Sequence, residues 1–184
     1  MKRYFAGIEL SDAVKTVCAD VAERLRATGF AAAYQSPEKL HLTLAFLGNI
    51  DETRCLEVER ALIEAASLVA PFDFALDRIG AFPHERKPRV IFAGARDQGR
   101  DFQKAAEAVR AAYARIGFAF TEDAVAHVTI ARVKSDDAAR RPPPQISLTP
   151  IRIDVREFAL FESIFDPPAQ TTRYEIRARA PLAA

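Results

Sequence analysis

HLTLAFLG at 41–48 and HVTIAR at 127–132 are the two stretches on which the reading of this chain turns. Successive side chains of a strand point to opposite faces. His41 and Thr43 therefore share one face, while Leu42, Leu44 and Phe46 take the other, so Phe46 is expected in the core. His127 and Thr129 share a face opposite Val128 and Ile130 in the same way. The branched apolar set belongs beneath helices, and the His/Thr set belongs to a polar cleft. The chain has three histidines and nine threonines in 184 residues, so Thr two places after two of the histidines exceeds what composition alone gives.

Working outward, the neighbourhoods of the two motifs match. Phe5-Ala6-Gly7 precedes His41 by 36 residues, counted from the Phe, and Phe92-Ala93-Gly94 precedes His127 by 35. Tyr34 and Phe120 each stand seven residues before a motif histidine, and each motif is followed later by a strand with a Phe near its end, Phe82 and Phe161. An internal repeat of about 86 residues, strand–helix–strand–strand in each half, accounts for this. Two repeats are too few for a solenoid, so a closed pseudo-twofold arrangement with facing motif strands is expected.

Element by element, residues 3–10 read as a strand, and 11–28 as a helix with Ser11 and Asp12 at its start and Gly29 past its end. A strand is expected over 40–47, a helix over 51–68 without a counterpart in the second half, and one strand over 72–82. The order then restarts with a strand at 89–95, a helix at 98–116 and a strand at 124–133. A polar loop at 135–145 leads to strands at about 146–163, broken near Pro150, and about 172–179.

Composition narrows the function classes. Hydrophobic residues are 49% and charged residues 28%, which excludes a disordered or collagen-like chain. The net charge of +1 provides no global basic field for gripping a long duplex, leaving room only for a local patch that takes a small or single-ended anion. Cys18 and Cys55 stand alone and read as small core residues of a reducing compartment. The N-terminus is too charged for a signal peptide, and no apolar run is long enough to span a membrane, so a cytoplasmic protein is expected.

Two imidazoles across a cleft form an acid–base pair, because at a pKa of about 6.5 one is neutral and the other charged near neutral pH. An in-line displacement at phosphorus needs that pair: one histidine takes the proton of the attacking hydroxyl or water, and the other protonates the leaving oxygen. Thr43 and Thr129 are placed to hydrogen-bond non-bridging phosphate oxygens. The scheme requires no metal or other cofactor, and the scattered histidines have no metal-ligand spacing.

The two HxTx motifs, with RYFAGIEL at 3–10, PEKLHLTLAFLG at 37–48 and RKPRVIFAG at 86–94, resemble the two-histidine phosphoesterases, and within them the RNA 2',3'-cyclic phosphodiesterases also called 2'-5' RNA ligases. The resemblance covers essentially the whole chain. It implies a bilobal α+β fold, with two pseudo-symmetric antiparallel sheets lining a central cleft and helices outside. One domain, 1–184, would comprise two repeated lobes, approximately 1–85 and 86–184. It implies hydrolysis of an RNA-terminal 2',3'-cyclic phosphate to a 2'-phosphomonoester, with His41 as proton donor, His127 as proton acceptor, and Thr43 and Thr129 on the phosphate. Reverse 2'-5' ligation is implied as a companion activity. The expected partner is RNA with a cyclic phosphate end, or a small cyclic-phosphate nucleotide, bound by a monomer.

Secondary candidates surround this constellation. Strict alternation aims Arg132 at the core, unless the strand bulges there; the resemblance implies an arginine at this place that reaches the ligand. Arg86, Lys87 and Arg89 flank a polar loop at 83–88 and offer a basic rim. Arg173, Arg177 and Arg179 lie on a strand that either borders the cleft or faces water. His84 lacks the motif context and is expected to be exposed. Competing readings are a phosphodiesterase of small nucleotides, a non-catalytic RNA-end binder and a metallohydrolase.

Overall fold

The computed structural model describes residues 2–134, 142–168 and 170–183. β1 (Lys2–Glu9) leads into α1 (Asp12–Ala27), which begins where Ser11 accepts a hydrogen bond from the Val14 amide. Val14, Cys18, Val21, Ala22 and Leu25 recur at helical spacing and are buried. Gly29 follows at φ +76°, a backbone angle that side chains rarely tolerate, and turns the chain out of the helix. The chain continues through β2 (Ala32–Tyr34), β3 (His41–Ile50), α2 (Cys55–Ala66), β4 (Phe72–Leu76) and β5 (Arg78–Phe82). β6 (Val90–Gly94), α3 (Gly99–Arg115), β7 (His127–Val133), β8 (Ile151–Val155), β9 (Glu157–Asp166) and β10 (Thr171–Pro181) follow.

The fold is α+β with two antiparallel sheets. The larger has eight strands, in the order β10-β9-β1-β3-β7-β6-β5 with β2 on β7, and the smaller pairs β4 with β8. Within the larger sheet, β3 and β7 meet at a single pair, Leu42 opposite Val128. This divides the sheet into a half around His41 (β10-β9-β1-β3) and a half around His127 (β7-β6-β5 with β2). Neither half follows the division of the sequence at residue 85: β9 and β10 complete the sheet of the first motif, while β2 and β5 serve the second.

Helices α1, α2 and α3 and the small sheet all pack on one side. Leu42, Leu44, Val128 and Ile130 share one buried cluster with Val21, Leu62 and Phe102 of the helices and with Phe74 and Ile153 of β4 and β8. Each fully buried Leu or Ile contributes about 1.5–3 kcal/mol through the water it leaves. The side facing away from the helices is left to the histidines.

Several elements differ from their expected bounds, for physical reasons. The strand expected over 72–82 is split at Asp77, whose amide donates to Gly94 O while its carboxylate accepts from the Arg96 amide; the chain thereby passes from the small sheet to the large one. The helix expected over 51–68 is a 3-10 turn, Glu52–Arg54, followed by α2. The strand expected from 124 starts at His127, and the break expected near Pro150 falls at Arg156, between β8 and β9. The short strand β2 has no alternating pattern of useful length and is legible only through its pairing with β7. Most of the loop expected over 135–145 lies outside the described residues.

Candidate active site

Both motif strands depart from strict alternation at the same place. Ala6 pairs with Ala45 and Gly7 with Thr43, so Leu44 is an extra residue in β3; Ile91 pairs with Ala131 and Phe92 with Thr129, so Ile130 is extra in β7. A bulge reverses which side chains face which side. Beyond it Ala45 and Ala131 are buried, while Phe46 and Arg132 turn to the histidine face. Phe46 is 51% exposed, which corrects the expectation of a core residue. The same bulge settles Arg132 in favour of the cleft. The extra residues keep their carbonyls satisfied by different means: Leu44 O accepts from Arg110 Nε at 3.0 Å, and Ile130 O accepts from the Gln35 amide at 2.8 Å.

Each imidazole is held in the same way. His41 Nδ1 lies 2.7 Å from Lys39 O, and His127 Nδ1 lies 2.9 Å from Val125 O. A carbonyl only accepts, so Nδ1 carries the hydrogen and Nε2 is left for a ligand. Beneath His41 lie Phe5 and Phe161, with ring centroids 4.5 and 5.7 Å away; beneath His127 lie Phe82 and Phe92, at 5.0 and 5.6 Å. The repeated Phe-Ala-Gly and the two later phenylalanines thus build matching floors. The repeated glycine is also accounted for. A Cβ on Gly7 would lie 2.3 Å from Leu42 O, and one on Gly94 would lie 2.8 Å from the Phe92 ring and 3.2 Å from Ala126 O. Gln98 Oε1 accepts from the Ala126 amide at 2.9 Å and so fixes the approach to His127.

Burial disfavours the charged form of both rings. Burial pushes the His41 pKa down to about 4; the Lys39 carbonyl opposes this, and the charges of His127 and Arg132 add to it. His127 is also pushed below 6.5 by burial, with Val125 O opposing and Arg132 adding. Tyr174 packs edge-on against His41 at 5.0 Å.

Two cavities open from this face and share Thr43, Phe46, His127, Thr129 and Arg132. The larger, about 580 Å³, runs past Phe82 and Pro83 toward Arg89, Arg110, Glu122 and Asp123. The smaller, about 410 Å³, contains His41 and runs past Phe5 and Tyr174 toward Arg3, Gln35 and Lys39. Antiparallel pairing at Leu42–Val128 sets His41 across from Thr129, and Thr43 across from His127. All five expected site residues therefore border one space.

The remaining candidates are dispersed. His84, Arg86 and Lys87 are exposed and line neither cavity, whereas Arg89 lines the larger one. Arg173, Arg177 and Arg179 form ion pairs with Glu175, Glu162, Glu9 and Glu157. Tyr34 and Phe120 lie under Arg26 and Arg110 and line neither cavity. Among the described residues, no cluster of three or more His, Cys, Asp or Glu is arranged to hold a metal ion. Among the described residues, no helix is long and apolar enough to cross a membrane. Sequence reasoning did not single out Arg3, Lys39, Arg110 or Tyr174, because each enters the site by strand pairing or helix packing rather than through a motif.

Two imidazoles, two threonine hydroxyls and a guanidinium thus converge on one cleft. Residues 8–92 match the family model described as LigT like Phosphoesterase. The chain is 32% identical over 176 residues to a Thermotoga maritima protein named RNA 2',3'-cyclic phosphodiesterase, covering 94% of each. It belongs to the LigT-like phosphoesterase family and is an enzyme, a hydrolase of phosphoesters. The crystal structure of a Thermus thermophilus protein superposes with a TM-score of 0.75 at 28% identity, covering 98% of this chain and 97% of that one. E. coli LigT complexed with 3'-AMP superposes with a TM-score of 0.72 at 26% identity, covering 100% and 99%.

Proposed function

We propose that this chain hydrolyses the 2',3'-cyclic phosphate at RNA 3' ends to a 2'-phosphomonoester, acting as a cytoplasmic monomer with 1–184 as one functional unit. Relatives named RNA 2',3'-cyclic phosphodiesterase over nearly the full length support the substrate. The observation that carries the mechanism is that both imidazoles have Nδ1 held by the carbonyl two residues earlier, leaving Nε2 of each for one cleft.

In the reaction, His127 Nε2 takes a proton from water as its oxygen attacks phosphorus. The bond from phosphorus to O3' breaks, and His41 Nε2 gives a proton to O3'. Thr43 and Thr129 hydrogen-bond the non-bridging oxygens, and Arg132 offsets their charge. With a 5'-hydroxyl attacking in place of water, His127 takes its proton, the bond from phosphorus to O3' again breaks, His41 protonates O3', and the same groups join two RNA ends through a 2'-5' linkage.

These roles need His41 charged and His127 neutral when phosphate is bound. In the empty cleft both pKa values are depressed, His41 to about 4, so both rings are neutral at pH 7. A phosphate anion seated between them counters the Arg132 charge and raises both values, and the leaving oxygen beside His41 draws the proton there. The kcat/KM profile, which reports the free enzyme, is therefore expected to be a bell lying on the acid side of pH 6.5. The kcat profile is expected to lie at higher pH.

The test is an oligoribonucleotide ending in a 2',3'-cyclic phosphate, followed by phosphorus NMR with the wild type, His41→Ala and His127→Ala. Conversion to a 2'-phosphate that both variants lose supports the reading. Unchanged turnover by either folded variant removes that histidine from the mechanism. A second reading, a phosphodiesterase of small cyclic nucleotides, is favoured by the E. coli relative having been solved with 3'-AMP.

A further inference from the structure

The two cavities differ sharply in charge. The larger has Arg89, Arg110 and Arg132 in its lining, but Glu122 and Asp123 face them. The smaller has Arg3, Lys39 and Arg132 and, among the described residues, no carboxylate. Among the described residues none of these three cations is ion-paired with an acidic side chain. Arg3 instead lies over the Phe46 ring, 4.8 Å from its centroid, and Lys39 Nζ donates to Thr171 Oγ1. Unpaired fixed cations around a concave space attract an anion more strongly than the same charges on a flat surface.

Their position follows from the strands. Arg3 and Phe5 share the cleft face of β1; Phe5 lies under His41, and Arg3 lies two residues back, about 7 Å along a strand. Lys39 stands two residues before His41, and its own carbonyl holds the ring. Both cations are thus on the His41 side of the scissile phosphate. Resting on the roles proposed above, O3' leaves on that same side, so the ribose carrying the cyclic phosphate sits against His41. The chain continuing from the O5' of that ribose carries the next phosphate into the smaller cavity, with the exposed Phe46 ring at the border for a base to stack on.

We propose that Arg3 and Lys39 form a second phosphate subsite, one that takes the phosphodiester 5' to the terminal nucleotide and makes the enzyme prefer a polynucleotide end to a mononucleotide. The larger cavity, on the His127 side, is left to water or another incoming hydroxyl. Arg3 is exposed and Lys39 half-buried in an open cavity, so solvent screens their charges, and the effect is moderate and falls with added salt.

The experiment compares kcat/KM for a dinucleotide ending in a 2',3'-cyclic phosphate with that for the mononucleoside cyclic phosphate. A third substrate carries an uncharged methylphosphonate in place of the internal phosphodiester. The dinucleotide is expected to be preferred by about tenfold, the scale of two ordinary exposed charge contacts. The preference should collapse toward unity with the methylphosphonate and in the double variant Arg3→Gln/Lys39→Gln, and should persist in Lys87→Gln, on the exposed 83–88 loop. Equal kcat/KM for the two natural substrates overturns the subsite. So does a preference that survives both the methylphosphonate and the double variant, which would assign it to base contacts. If the folded wild type turns over neither substrate, the phosphodiesterase reading fails by itself. The subsite is then judged by calorimetric binding of the 2'-phosphorylated dinucleotide against its methylphosphonate analogue: tighter binding of the charged form retains it, and equal binding rejects it.

Discussion

Around His41 the sheet supplies Phe5 and Phe161 and adds the edge of Tyr174; around His127 it supplies Phe92 and Phe82. Each ring hangs from the carbonyl two residues before it, and each strand bulges one residue after its threonine. At the first residue that the bulge returns to the cleft, one half has Phe46 and the other has Arg132. The duplicated parts build a frame that presents two imidazoles alike, and the parts that differ put a ring beside one half and a guanidinium beside the other. Burial and the Arg132 charge depress both imidazoles, so in the proposed mechanism it is the bound phosphate and its leaving oxygen that decide which ring carries the proton.

Removing either imidazole has the largest expected effect on this comparison. His41→Ala and His127→Ala should each lower kcat/KM by about 10²–10⁴. A cyclic substrate with sulfur as the 3' leaving atom, which needs no proton, sharpens the contrast: it should restore much of the rate to His41→Ala and little to His127→Ala. Rescue of His127→Ala instead would exchange the two roles.

Acid comes next. Unfolding returns His41 from a pKa of about 4 to its ordinary 6.5, so the unfolded chain binds the extra proton across that interval. Stability is therefore full above pH 6.5 and falls as the pH drops toward 4, by about 3 kcal/mol from this group. Urea unfolding at pH 7 and pH 4.5 should show the loss, and His41→Phe should reduce it. An unchanged slope in that variant would mean that the ring is not buried as a neutral group.

The glycines follow. Gly7→Ala should destabilise by about 3 kcal/mol, because the new methyl meets a backbone carbonyl at 2.3 Å, whereas Gly94→Ala should cost about 2 kcal/mol, because its contacts, the Phe92 ring at 2.8 Å and Ala126 O at 3.2 Å, are less close. Equal losses in denaturant unfolding would dissolve this difference between the halves. The smallest effect is expected at Arg110. Arg110→Leu strips Leu44 O of its donor for a cost of about 1–2 kcal/mol. It should also raise KM by loosening the Phe46 bulge, with no equivalent side chain to remove at Ile130, where a backbone amide does the work.

Much of this molecule was legible in the chain. Ser11, Gly29 and the apolar stripe of α1 marked a helix within one residue at each end, because capping and burial are local. His41, Thr43, His127 and Thr129 were singled out from period-two alternation and repetition, and the structure brings all four to one cavity. Phe46 was misassigned for a definite reason: alternation holds only while the pairing is regular, and nothing in HLTLAFLG announces an extra residue at Leu44. Arg132 carried the same ambiguity. The split of 72–82 was hidden because both pieces are β-rich, and only the bonds to Asp77 show that they belong to different sheets.

The sequence by itself determined the duplication, the helices and strands that carry it, and the two histidine–threonine pairs, since propensity, capping and periodicity act over a few residues. The tertiary structure decided which strands complete each half, where the bulges fall, and which side chains reach the cleft. It also decided how far each imidazole is stripped of water. Those outcomes depend on hydrogen bonds and burial between residues distant in the chain, such as Leu44 with Arg110 and His41 with Tyr174, which no local pattern records.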